Sequence, residues 1–171
     1  PPLTELLPLL AGTTNESVIA TLSGAFKDSY DVEGYKNTDI FEGVVELMRQ
    51  LKDMGHTLYI ATNKRILPTR KIIDFFGWGE LFKGVYALDL FEQPRNKKEL
   101  IDYVMNLHNM SKETTIYIGD TLADHRAAQS NEIGYIMAMW GYDSGTFSDG
   151  WSAHLPQEMI GYCDQYQHKS K

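Results

Sequence analysis

The sequence predicts an α/β fold in which a parallel sheet carries helices on both faces, placed behind an all-helical opening segment. Three observations predict it. From about residue 41 onward, short β-branched or aromatic runs alternate with helical periods, the pattern of successive strand–helix–strand units. Several of these runs end in polar or Gly-Asp sequence, where open α/β sheets keep their ligands. Residues 1–40, in contrast, show helical period and no strand pattern.

The elements follow in order. Leu3 to Leu10 and Glu16 to Tyr30 read as helices. After Phe41-Glu42-Gly43 a helix is expected from about Val44 to Met54, then a turn at Gly55 and a strand from Thr57 to Ala61. A helix near Leu67 to Phe76 ends at Gly77, a strand covers Gly84 to Leu88, and a helix covers Lys97 to His108. Thr115 to Ile118 form the next strand, being β-branched or aromatic, and Leu122 to Ser130 the helix leaving it. The strand Gly134 to Met139 comes next, followed by a loop rich in Gly, Ser and Asp from Gly141 to Gly150. A short strand near Trp151 and a helix around Pro156 to Tyr162 close the chain, and there is no internal repeat.

Composition narrows the function classes. The 171 residues suit one domain with a real core and a small appendage. A net charge of −7 argues against nucleic-acid and membrane-surface partners. No apolar run approaches a membrane span of ~20 residues, and no secretory leader pattern is visible, so a cytoplasmic protein is expected. Cys163 is the single cysteine; it excludes an internal disulfide and is expected to pack on a helix.

Chemistry concentrates at three places. Asp120 and Asp124 follow the apolar run Thr115-Ile116-Tyr117-Ile118-Gly119, so two carboxylates sit at a strand's carboxyl end. Such a pair suits a hard cation such as magnesium; on its own, Asp120 fits a helix cap equally well. The strand through Leu58-Tyr59-Ile60-Ala61 leads to Thr62-Asn63-Lys64, which offers a hydroxyl and backbone N–H groups able to hold phosphate oxygens, or else an ordinary strand exit. Lys97 and Lys98 open a helix, where positive charge opposes the helix dipole unless an anion is near.

Taken in order, Thr62, Lys97 and the Asp120/Asp124 pair resemble three of the four motifs of the haloacid dehalogenase-like phosphatases. The lead-in from Phe41 through Leu47, Leu51 and Gly55 to Thr62, and Trp140-Gly141-Tyr142 further on, resemble the phosphoglycolate phosphatase branch. The opening Pro1-Pro2-Leu3-Thr4-Glu5 and its helices resemble the second half of that branch's helical cap. The resemblance implies a Rossmann-like core over residues 41–171, a partial helical cap over residues 1–40, and a magnesium-dependent phosphatase acting on a small phosphate monoester. It implies that Thr62 orients the phosphoryl group with Asn63 beside it, that Lys97 neutralises charge on nucleophile and phosphate, that Asp120 binds magnesium and that Asp124 supports it. Lys97 is preferred to Lys98 because the spacing to Glu99 and Leu100 matches the branch.

One motif is missing. Relatives open with a strand and Asp-x-Asp, the first Asp being nucleophile and the second acid/base, and no Asp-x-Asp occurs in this sequence. The residues present can bind and neutralise phosphate but cannot attack it on that mechanism, so the chain alone is expected to be inactive. The missing strand belongs between the strand ending at Thr62 and the one ending at Asp120, which predicts two unpaired edges and a tendency to self-associate or swap strands. A fragment of a longer enzyme is the expected explanation, ahead of a shortened chain that has closed the gap and of an inert phosphate- or metal-binding relative acting through a partner. A phosphoacceptor receiver-like domain fits less well, since receivers carry their acidic cluster early in the chain.

Other residues read as structural. His56, His108, His125, His154 and His168 lack metal-ligand spacing. Tyr30, Tyr35, Phe75 and Phe76 suit packing, and Lys64 and Arg65 read as solvated loop charges, with the phosphate pocket as the alternative.

Overall fold

A computed structural model of the chain describes residues 3–93, 95–141 and 150–169, with the side chains of 3–5 and 167–169 excluded. Pro1, Pro2, Pro94, the 142–149 stretch of the expected loop with Tyr142, and the His168 side chain lie outside the described residues.

Helices α1 (Leu3–Ala11) and α2 (Glu16–Val32) lie against each other, and Asn15 caps α2 by accepting from the Ser17 and Val18 N–H groups at 3.1 and 3.2 Å. None of α2 is buried. Helix α3 (Val44–Asp53) starts after Gly43, whose φ of 81° is a left-handed conformation that glycine adopts without a Cβ clash. Its Leu47 and Leu51, one turn apart, face the core. Then follow β1 (Leu58–Thr62), α4 (Ile66–Phe75), β2 (Phe82–Ala87), α5 (Lys97–Leu107), β3 (Ile116–Gly119), α6 (Leu122–Ser130), β4 (Gly134–Ala138), β5 (Trp151–Ala153) and α7 (Glu158–Lys169). Asp89, just beyond β2, accepts from the Ile66 N–H and so caps α4 from outside its own segment.

All strand pairs are parallel, but the strands form two sheets: β1 with β2, and β3–β4–β5 in that order. Among the described residues β1 and β3 do not pair, so the gap expected between them remains open. The mixed α/β architecture with helices on both faces is as the alternation predicted. Its register shows in β4: Ile136 and Ala138 face a core built with α3 and α7, while Tyr135 and Met137 face another built with α5 and α6. Cys163 packs in the first of these, and burial pushes its thiol up to about 11.

Element boundaries differ from expectation by one or two residues, except that α7 runs to Lys169 and not to Tyr162. Tyr162 stacks on Trp151, and Tyr166 meets the same indole edge-on, so packing extends the helix beyond where its periodicity weakens. Among the described residues no helix is long and apolar enough to cross a membrane.

Two isoleucines report the divided sheet. Ile136 in β4 has no exposure, whereas Ile118 in β3 is 38% exposed. Ile136→Ala is expected to cost about 2–5 kcal/mol and Ile118→Ala under about 1 kcal/mol in urea denaturation.

Candidate active site

Four of the five residues singled out in the sequence line one cleft: Thr62, Lys97, Asp120 and Asp124. Thr62 ends β1, and its hydroxyl accepts from the Lys64 N–H at 3.1 Å, which turns the chain away from the sheet. Asn63, the next residue, is exposed.

Lys97 is held by the start of α5. Asn96 accepts from the Glu99 N–H at 3.0 Å while the Glu99 carboxylate accepts from the Asn96 N–H at 2.9 Å, a reciprocal cap that fixes the first turn. The Lys97 ammonium lies 3.1 Å from Asp124 Oδ1 and donates to the Tyr117 hydroxyl at 2.9 Å and the Ala61 carbonyl at 3.4 Å. Lys98 is exposed, so geometry puts Lys97 and not Lys98 into the cleft.

Asp124 is 8% exposed and fully engaged. Its Oδ1 meets Lys97 and accepts from the Tyr117 hydroxyl at 3.4 Å; its Oδ2 accepts from the Thr121 hydroxyl at 2.8 Å, and Thr121 in turn accepts from the Asp124 N–H at 3.0 Å. Asp120 stands at the carboxyl end of β3, half-buried. Two glycines make room for this pair. A Cβ on Gly119 would lie 2.6 Å from Asp124 Cβ, and one on Gly141 would lie 2.1 Å from Asp120 Cβ. Neither position can carry a side chain without displacing a carboxylate.

Tyr117 is the member of this Lys97–Asp124 cluster that sequence reasoning missed, having placed it only as one apolar strand position. Burial, then the charge of Asp124, raises its phenol well above the usual value, so it remains a neutral donor. Strand alternation was the available signal: Ile116 faces α3 and α7, so Tyr117 faces the α5 side from which Lys97 projects.

Lys64 is exposed, as a solvated loop charge would be, whereas Arg65 is half-buried in an ion pair, and neither lines the cleft. Arg65 makes a two-pronged bond to Asp31 at 2.9 and 2.6 Å, Lys64 donates to the Tyr30 hydroxyl at 2.9 Å, and Lys71 donates to the Asp31 carbonyl. Together they tie the end of α2 to the loop after β1 and to α4. Tyr30 stacks on Phe26, Tyr35 meets Phe75 edge-on and Phe75 meets Phe76, as packing aromatics do. His108 bonds the Tyr86 hydroxyl at 2.7 Å, and among the described residues no group of three or more His, Cys, Asp or Glu could hold a metal.

The sequence profile of the haloacid dehalogenase-like hydrolases matches residues 2–138. The chain belongs to this family. A 5'-nucleotidase of Pseudomonas aeruginosa is 30% identical over 138 residues, covering 81% of this chain and 60% of that protein. A phosphoglycolate phosphatase of Psychrobacter arcticus is 28% identical over 120 residues, covering 70% of this chain and 52% of that protein. The chain therefore spans little more than half the length of these curated relatives. A family hydrolase structure from Streptococcus pneumoniae superposes with a TM-score of 0.81 at 23% identity, covering 95% of this chain and 76% of that one. These likenesses place the chain in the phosphoglycolate phosphatase-like branch with a Rossmann-like core.

Two consequences are measurable. Lys97→Met leaves Asp124 buried without its cation and should cost about 3–5 kcal/mol, whereas Lys98→Met should cost under about 0.5 kcal/mol, both read by urea denaturation. The Arg65 guanidinium holds Asp31 below the usual carboxylate range, so its contribution is present above the unfolded value near 3.8 and lost as pH falls through the folded one. Melting temperature against pH should fall less steeply below about pH 4 in Asp31→Asn than in the parent.

Proposed function

We propose that the intact protein is a magnesium-dependent phosphatase of small phosphate monoesters, and that this chain supplies the phosphate- and metal-binding wall of its site. The observation that carries this reading is the convergence of Thr62, Lys97, Asp120 and Asp124 on one cleft at the carboxyl ends of β1 and β3. Phosphatases among its relatives support it. Helices α1 and α2 are read as part of a cap.

The donor set suits magnesium, a hard ion that takes one or two carboxylates and keeps several waters. Asp120 would hold it directly. Asp124, with both oxygens already engaged, would support from behind by fixing Lys97 and the first turn of α6. When bound, the ion supplies positive charge against the phosphate oxygens. Lys97 adds a second positive charge inside an otherwise acidic chain, and the Thr62 hydroxyl and the N–H groups around Asn63 orient the phosphoryl group. Nothing in the sequence supplies the Asp-x-Asp nucleophile and acid/base, so binding and turnover separate in this chain.

Magnesium should therefore raise the melting temperature of the chain, by about 2–4 °C for each kcal/mol of linked stabilisation, and Asp120→Asn should remove the rise. The same preparation should leave a generic phosphomonoester uncleaved. Robust turnover by the chain alone, abolished by Asp120→Asn, would overturn the account of the missing group. Absence of any magnesium-linked stabilisation would overturn the metal assignment. The inert-relative reading predicts the same stabilisation, with no turnover even in a longer form that carries Asp-x-Asp.

A further inference from the structure

Two consecutive residues in the last turn of α2 are gripped by three cations of the core. Arg65 bonds the Asp31 carboxylate at 2.9 and 2.6 Å, Lys71 donates to the Asp31 carbonyl, and Lys64 donates to the Tyr30 hydroxyl at 2.9 Å. Helix α2 has no basic residue in its own last turn, so these three supply the positive charge that its negative end favours. The grips are unequal. Arg65 and Asp31 form a charged, two-pronged bond with side chains 29% and 17% exposed. The exposed Lys64 has a neutral phenol as its acceptor, and its ammonium lies 4.8 Å from the centre of the same ring. Among the described residues Lys64 enters no ion pair. Its backbone N–H nevertheless donates to the Thr62 hydroxyl at 3.1 Å, which places its Cα beside the group proposed to orient phosphate, and that hydroxyl keeps its own proton to donate.

We propose that Lys64 and Tyr30 form an anion-responsive latch: a phosphate group at the Thr62 loop draws the Lys64 ammonium off Tyr30, and the last turn of α2 loosens about the Asp31–Arg65 bond. Its ligand is the phosphate group assigned to that loop under the phosphatase reading, on which the latch therefore rests. An ammonium–phosphate bond carries charge on both partners, an ammonium–phenol bond on one, so phosphate is the stronger competitor. The flexible four-carbon stem of lysine lets the ammonium change partners without moving the backbone. Arg65 cannot follow, because Asp31 holds both of its prongs. No residue of α2 is buried, and the Tyr30 ring stacks on Phe26 of the same helix at 5.5 Å, so release of Lys64 removes a bond between this ring and the core. Phosphate and Tyr30 compete for one ammonium, and each therefore weakens the hold of the other. Occupancy of the loop is reported to the helix in this way.

The test uses the full chain with magnesium and inorganic phosphate, and potassium chloride at matched ionic strength as the control for charge screening. Binding is read by nuclear magnetic resonance titration, and the helix end by amide hydrogen exchange. Phosphate should slow exchange in residues 62–66 and speed it in residues 28–32, opposite changes that chloride does not produce. Tyr30→Phe keeps the ring and removes the competing hydroxyl, so it should bind phosphate about two- to tenfold more tightly than the parent, with residues 28–32 already loosened. Lys64→Met should bind about fivefold or more weakly and show no change at 28–32 when phosphate is added. Phosphate binding by the parent with equal or weaker affinity in Tyr30→Phe, or with slower exchange at 28–32, would overturn the latch and leave the phosphate reading intact. No phosphate binding by either protein would overturn both. The same loosening in chloride would assign the effect to screening and also overturn the latch. Should Tyr30→Phe fail to fold, the signs of the two exchange changes in the parent decide.

Discussion

The Lys97 ammonium joins the two halves of the molecule. From the first turn of α5 it reaches the Ala61 carbonyl on β1, the Tyr117 hydroxyl on β3 and the Asp124 carboxylate on α6, so one half-buried cation links both sheets across the cleft. A half-buried ammonium is stable only when its donors are used, and here three acceptors of different elements use them. The reciprocal Asn96/Glu99 cap holds this helix start in place although Lys97 opposes the helix dipole there. A cation at an unfavourable helix position is thus stabilised by acceptors from elsewhere in the fold.

Around that contact the backbone is shaped by two carboxylates. Gly119 and Gly141 leave the space that Asp124 and Asp120 occupy, and Thr121 fastens Asp124 to the start of α6. Asp124 is therefore first a structural residue, buried and bonded at both oxygens, one of them to Lys97. Asp120 stands half-buried at the strand end, and on the proposed reading it is the carboxylate that would hold the ion. The Asp31–Arg65 bond serves another purpose, fixing α2 over the loop that follows Thr62. A chain of net charge −7 keeps few cations near its cleft, and two in the loop that follows Thr62, Lys64 and Arg65, are engaged in this tether.

Much of this was legible beforehand because it is local. The apolar run through Ile118 with Gly119 and Asp120 at its end, the helical period of α3 with Leu47 and Leu51, and the polar exit at Thr62 all encode structure within a few residues. Lys97 stood out in the sequence beside Lys98, and its distances to Asp124 and Tyr117, with the exposure of Lys98, separate the two. Contacts between residues far apart in the chain were not legible. Arg65 looked solvated because its partner, Asp31, lies in a different helix, and α7 looked shorter because Trp151 packs against its later turns.

The sequence by itself determined the α/β class, the order of the elements, the family motifs and the absence of Asp-x-Asp, since each is written in periodicity or in residue type. Tertiary structure alone decided which groups meet: that Tyr117 completes the Lys97 and Asp124 cluster, and that glycines at 119 and 141 make room for two carboxylates. The reason is physical. Side-chain proximity depends on how distant segments pack, which no single stretch of residues determines.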